Sequence, residues 1–314
     1  MPIGAFRLNT LGKVLSTPAV AATVWDDPYT MRDAVMVYDT SSQTSTNKIV
    51  GISIQDSGSK MYVLDSSTDT IYQYTLSTAY DITSASYASK SFNMGGEGDI
   101  KEDFHIADSG SKLFVCDRSG DETRRYTMST PYDISTASFD SGQTVSHNSQ
   151  DTAPRGVVVS SDGNHLFMVG SQNGNIHQYD MSSAYDLSTA SFNQSFTTTL
   201  GSSYSIAVNG DGKQIWIHGD GETHEYDLST GYDVSTAAIG KKHIRDYHAI
   251  TEGMYIPEDG EYVYYVTNYG SNSYRAAQNP LNRNIQFATD SNASSMSLGL
   301  PYGYKETGLD DVTN

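Results

Sequence analysis

The sequence has a single cysteine, Cys116, and only two tryptophans among its 314 residues. A lone thiol cannot form an internal disulfide, so no covalent staple is available and no oxidising compartment is implied. Basic residues are scarce as well: 19 Lys and Arg stand against 37 Asp and Glu, for a net charge of −18. Proteins that grip phosphate backbones cluster their Lys and Arg, and no such cluster occurs, so nucleic acid is not an expected partner. No run of eighteen apolar residues is present, which leaves no candidate membrane-spanning helix. The eight histidines lack HExxH or His-x-His spacing and no Cys-x-x-Cys accompanies them, so a zinc site is not expected. Nucleophile motifs and recurrent carboxylate pairs are also missing, and the chain is therefore not expected to be an enzyme.

What the chain does have is repetition. Turn glycines recur at Gly58, Gly110, Gly163, Gly212 and Gly260, with spacings of 52, 53, 49 and 48 residues. A second motif keeps the same period: Tyr74 to Ile82 returns as Tyr126 to Ile134, Tyr179 to Leu187 and Tyr226 to Val234. A unit of about fifty residues without helical periodicity is too long for a leucine-rich or ankyrin repeat and fits a four-stranded propeller blade. The predicted fold is all-β, a β-propeller. In the first unit the strands are expected at 50–55, 60–64, 70–76 and 85–92, with the turn glycine joining the first two. Asp-Gly and Ser-Gly supply the positive φ that such hairpins need.

Aligned on the turn glycines, the columns carry physical meaning. Gly51, Asp103, Gly156, Ser205 and Gly253 form a column that is small in four units, as expected where first strands crowd toward an axis. Leu64, Cys116, Val169, His218 and Val266 form a mainly apolar column, which makes Cys116 core filler. His177 and His224 fall at a third-strand position filled by Tyr72 and Arg124 in other units, a variability that suggests a solvated strand face.

The ends bear on ring closure. Pro28-Tyr29-Thr30-Met31 with Ala34 matches Pro131-Tyr132-Asp133-Ile134 with Ala137, one unit upstream of the first full repeat. The expectation is five complete repeats plus a composite closing blade, six blades being favoured and five the alternative. Residues 20–42 would supply its outer strands and residues 296–304 an inner one. The chain then divides into an N-terminal arm (1–25), the propeller (26–290) and a C-terminal segment (291–314). The arm has an apolar stretch, Val14 to Ala22, but Ser16, Thr17 and Pro18 interrupt it, so an extended arm is expected rather than a secretion signal.

Candidate sites are few. Glu97, Asp99, Glu102, Asp103, Asp151 and Glu252 lie in segments leading into first strands, hence near one mouth of the channel. Calcium takes six to eight oxygens in loose geometry, so Glu102, Asp103 and Glu252 are the candidates for a channel cation, against a solvated rim with Lys101 and Arg155 as counterions. No cofactor is otherwise called for. Tyr80, Tyr132, Tyr185 and Tyr232, each followed by Asp, resemble a multivalent glycan code, with sugar rings stacking on the tyrosines. The stronger expectation is structural: Asp caps a short turn and Tyr covers the outer edge of the blade.

Two stretches carry a resemblance. Asp108-Ser109-Gly110-Ser111-Lys112-Leu113-Phe114-Val115-Cys116-Asp117, followed by Tyr126 to Phe139, resembles propeller repeats of structural proteins of tailed bacteriophages and of some bacterial surface proteins, over about residues 27–290. The opening, Met1 to Lys13, resembles the start of several phage virion proteins. The resemblance implies a non-catalytic virion component of tail, fibre or capsid decoration, present in multiple copies. Its partners would be other virion proteins and a host-surface glycan, and Phe6, Arg7, Leu8 and Leu11 would anchor it. The alternatives are a secreted or surface propeller lectin and a lactonase-like enzyme.

Overall fold

A computed structural model describes residues 36–38, 40, 43, 48–95, 101–245, 252–257, 262–268 and 274–280. In the first unit the strands β2 (Ile49–Gln55), β3 (Lys60–Asp65), β4 (Thr70–Leu76) and β5 (Ala85–Asn93) lie within one residue of the expected spans. The hairpin between β2 and β3 turns at Asp56, Ser57 and Gly58, with φ of 54°, 53° and 80°. Three consecutive left-handed residues are cheap only where short polar side chains and glycine stand, which is what the motif provides.

The same meander repeats as β6 (Lys101–Ala107) to β9 (Ala137–Ser146), β10 (Pro154–Val159) to β13 (Ala190–Phe196), and β14 (Ser205–Val208) to β17 (Ala237–Arg245). A further sheet is assembled from both ends of the described chain. Its order is β1 (Met36–Tyr38), β20 (Tyr274–Pro280), β19 (Tyr262–Asn268) and β18 (Met254–Tyr255). The molecule is a β-propeller of four-stranded antiparallel blades, and five such sheets stand among the described residues.

This arrangement corrects the expected strand assignment at the closure. The N-terminal strand does not enter a separate composite blade; it is the outermost strand of the fifth sheet, pairing Met36 with Gln278 and Tyr38 with Ala276. The motif match already placed this stretch at a fourth-strand position. Ala34 corresponds to Ala137, the first residue of β9, and β1 follows it by two residues. The proposed inner strand at 296–304 lies outside the described residues.

First strands of successive units touch one another, which identifies them as innermost. The small column runs around the axis. A methyl on Gly51 would lie 3.4 Å from Asp103 Oδ1, one on Gly156 2.8 Å from Ser205 Cα, and one on Gly253 2.9 Å from Gly51 Cα. Asp103 Oδ2 accepts from Val157 N of the following blade at 3.3 Å, and Ser205 Oγ accepts from Met254 N at 3.0 Å. The two non-glycine members thus use their side chains to tie one inner strand to the next.

Apolar packing fills each gap between neighbouring sheets. Tyr62, Leu64 and Ile71 pack with Phe104, Leu113 and Val115; Phe114 and Cys116 pack with Val157, Leu166 and Met168. Beyond these, Phe167 and Val169 meet Ile215 and Ile217, and Trp216 meets Met254 and Tyr265. Tyr264, Val266 and Ala276 of the fifth sheet join Ile52, Met61 and Tyr74 of the first. Cys116 is fully buried, and burial pushes its thiol up.

Candidate functional site

The repeated Tyr-Asp pair is built into the joints between blades. Asp81, Asp133, Asp186 and Asp233 each cap a short 3-10 turn, accepting from Thr83 N, Ser135 N, Ser188 N and Ser235 N. The preceding blade clips three of them: Lys90 Nζ reaches Asp133 at 2.6 Å, Gln143 Nε2 reaches Asp186 at 2.7 Å, and Gln194 Nε2 reaches Asp233 at 2.8 Å. The hydroxyl of Ser188 and then Gln143 hold Asp186 below its ordinary pKa, and Ser235 and Gln194 do the same for Asp233. A buried glutamine then accepts from the next residue's N–H. Gln73 takes Ile134 N at 3.0 Å, Gln178 takes Val234 N at 3.2 Å, and Gln278 takes Ile82 N at 3.2 Å. The sequence reading missed these glutamines, although they share one third-strand column.

The four tyrosines sit elsewhere than expected. Each adopts φ near +60° and lies against the turn glycine of its own blade rather than covering the outer edge. A methyl on Gly58 would fall 2.5 Å from the Tyr80 ring, and Gly110, Gly163 and Gly212 meet Tyr132, Tyr185 and Tyr232 in the same way. Neighbouring blades add a second contact to two rings. Lys60 Nζ lies 5.3 Å from the Tyr132 centroid, and the His165 ring stacks on Tyr232 at 5.3 Å. The Tyr185 hydroxyl donates to Ser161 O at 2.6 Å, and the Tyr232 hydroxyl to Gly210 O.

This placement brings Tyr80, Tyr132 and Tyr185 to the rim of an axial cavity of about 620 Å3 at the mouth formed by the glycine turns. Asp56, Asp108, Ser57, Ser109, Asn209 and His105 line it too, and among the described residues neither Lys nor Arg does. Tyr232 is not part of the lining. Below His105 the channel narrows to a void of about 40 Å3 beside Asp103 and Phe104. Desolvation pulls the His105 imidazole down to about 4, so the ring is neutral at pH 7. His105 is a residue the sequence reading left unused. It was legible as the departure in its column, where Ser53, Val158, Ala207 and Tyr255 stand in the other units.

At the opposite mouth, Glu102 and Glu252 come together around Arg155. Its guanidinium lies 3.1 Å from Glu102 and 3.7 Å from Glu252, while Arg118 reaches Glu102 at 3.5 Å. Burial, then the charge of Glu102, raises the Glu252 carboxyl. Asp103 lies deeper, where burial raises its carboxyl well above the ordinary value against the two N–H groups of Phe104 and Val157. Arg155 thus supplies positive charge where a channel cation would stand. Among the described residues no group of three or more His, Cys, Asp or Glu is arranged to hold a metal ion. Glu97 and Asp99 lie outside the described residues, as do Phe6, Arg7, Leu8 and Leu11. Asp151 is buried and accepts from Ala153 N at 2.7 Å.

His177 and His224 overturn the expectation of a solvated face, since both are buried. The outer strand and its following loop close over them. His177 Nδ1 meets Ser195 Oγ at 2.7 Å, and His224 Nδ1 meets Thr199 Oγ1 at 3.0 Å.

No family model matches the sequence, and no curated protein matches it. Similarity is confined to solved structures. A functionally unknown protein from Desulfotomaculum acetoxidans aligns at 13% identity and a TM-score of 0.48, covering 70% of this chain and 65% of that one. A Bacteroides fragilis protein proposed to be a 6-phosphogluconolactonase aligns at 12% identity and a TM-score of 0.44, covering 74% and 70%. The β-propeller domain of Cps50 (Swd1) from Myceliophteria thermophila aligns at 10% identity and a TM-score of 0.43, covering 70% and 66%. The chain spans about two thirds of the length of these proteins.

Proposed function

We propose that the protein is a non-catalytic attachment propeller, a structural component of a bacteriophage virion that holds other virion proteins through Phe6, Arg7, Leu8 and Leu11 and offers its glycine-turn mouth to a host-surface glycan. The five sheets, in this reading, form a complete five-bladed ring. The observation that carries the attachment role is the convergence of Tyr80, Tyr132 and Tyr185 on one polar axial cavity. The resemblance of the repeats and of Met1 to Lys13 supports the virion setting. Buried Phe6 and Leu8 would each contribute about 1.5–3 kcal/mol to anchoring.

Mass spectrometry of purified particles tests the setting, with the chain expected among the virion proteins in multiple copies. The double variant Phe6→Ala, Leu8→Ala is expected to fold and yet be absent from particles. Normal incorporation of that variant would move the anchor to another surface, and absence of the wild-type chain from particles would defeat the reading. A surface lectin outside any virion is the second reading, because the same cavity serves it equally.

A further inference from the structure

Sequence periodicity suggests four equivalent sites around the rim. The geometry points to a single one: we infer that the axial cavity at the glycine-turn mouth binds one neutral saccharide end per ring, seated on His105 and Asn209. The inference rests on the attachment reading and deepens it by naming the site, the stoichiometry and the ligand chemistry.

Shape comes first. The cavity of about 620 Å3 falls within the roughly 300–1,000 Å3 typical of small-ligand pockets. The 40 Å3 void beneath His105 is no larger than a water or two require, so the cavity is a cup filled from the glycine-turn side and not a through-passage. Three repeat tyrosines share this one cup. The fourth is spent, with its hydroxyl on Gly210 O and Ser161 Oγ and its ring stacked on His165. The Tyr132 ring is likewise engaged by Gly110 and Lys60. A sugar stacked separately on each of four rims has few bare ring faces to use.

Unspent hydrogen-bonding groups lie inside the cup instead. The His105 imidazole, half-buried at the floor, makes no side-chain hydrogen bond within the protein. Asn209 Oδ1 accepts from Gln214 N at 2.9 Å, which leaves its amide N–H groups for a ligand. The Ser57 and Ser109 hydroxyls are also uncommitted at the rim. Groups that both donate and accept, spread over a concave wall with aromatic edges, suit the hydroxyls of a saccharide.

Charge narrows the class further. With Asp108 in the wall, no Lys or Arg lining it among the described residues and a net charge of −18 on the chain, a sulfated, phosphorylated or sialylated end is repelled. Of the two wall carboxylates, Asp56 is already paired with Lys60 at 2.6 Å, which leaves only Asp108 to hold an ammonium ligand. The neutral imidazole of His105 neither attracts nor repels charge.

The test uses the purified full chain. A glycan array carrying neutral, sulfated, sialylated and amino-sugar arms is screened, and the strongest neutral binder is carried to calorimetry and to a nitrogen-detected titration of the histidine rings. The expected result is one site per chain, a shift of both His105 ring nitrogens, and a loss of affinity of tenfold or more in His105→Phe and in Asn209→Leu. Tyr255 already occupies the equivalent column in the fifth sheet, so Phe fits by size; thermal melts confirm that both variants are folded. Absence of any neutral binder, a stoichiometry of four, preference for an anionic or amino-sugar arm, or an unmoved His105 would each overturn the inference. If the wild-type chain is found in particles but binds no neutral glycan, this inference fails and the virion setting survives. Single-site binding by a chain absent from particles gives the reverse.

Discussion

Burial holds three histidines, His105, His147 and His177, below the ordinary imidazole range. His147 is fully buried between the second and third blades, where Tyr179 donates to Gln150 Oε1, His147 Nδ1 donates to the Tyr179 oxygen at 2.9 Å, and Nε2 accepts from Thr123 at 2.8 Å. Burial pulls its pKa to about 3, and burial also lowers that of His177. A folded-state pKa below the unfolded value of about 6.5 means that the stabilisation is fully present above pH 6.5 and is lost as pH falls toward the folded pKa. Thermal melts should therefore move down steadily from pH 7 to pH 4, and His147→Gln should lower the neutral-pH melt while flattening that slope. A slope unchanged by the substitution would place the acid sensitivity elsewhere. None of this was visible in the sequence, because a histidine's burial depends on which outer strand and loop close over it; the variability at the position of His177 and His224 pointed the wrong way.

Blade joints are the element-scale counterpart. The glutamine pegs are worth more than an average surface bond because their partners are buried: removing one acceptor leaves an N–H without a partner inside the joint. Gln178→Leu should strand Val234 N and cost about 1–3 kcal/mol in chemical denaturation, whereas Asn193→Ala, on an exposed outer position, should change stability by less than about 0.5 kcal/mol. Gly156→Val tests the axial column, since even the first carbon of a side chain would stand 2.8 Å from Ser205 Cα, and a cost of roughly 1–3 kcal/mol is expected. The sequence made this column, the hairpin turns and the strand spans readable, because glycine, small residues and period-two alternation are local signals. It did not make the pegs or the tyrosine placement readable. Those depend on how one blade is set against the next, which no single unit's pattern contains; the repeated Asp was correctly read as a turn cap, while the repeated Tyr was assigned to the wrong edge.

At the scale of the whole molecule, stability is shared through neighbours, and the joint between the fifth and first sheets holds a sheet built from both ends of the described chain. It is secured by the same devices as the others: Tyr264 donates to Tyr80 O at 2.8 Å as Tyr62 donates to Tyr132 O at 2.7 Å, and Gln278 serves Ile82 as Gln73 serves Ile134. Gly253→Ala should strain this joint, because a methyl there overlaps the Val50 carbonyl oxygen, and the melt should fall and broaden. Deleting residues 1–42 removes β1 and exposes the edge of β20, so it should lower the melting temperature and promote association. Deleting residues 1–13 should leave the melt unchanged. Equal damage from the two deletions would show that the arm and the ring are one unit. The closure was half legible: the motif near Pro28 announced an N-terminal contribution, but the choice between joining the last blade and founding another is a matter of sheet register that the sequence does not state.

The strand that finishes the fifth sheet is synthesised before every other strand of that sheet. Met36–Tyr38 lacks its β20 partner until Tyr274–Pro280 has emerged, so the four intervening sheets can assemble during synthesis while this strand waits for its ladder. Closure is then a late, long-range event with a large loop between its two strands, and a nascent chain arrested before residue 274 should be protease-sensitive at Met36–Tyr38 although the intervening sheets are already protected.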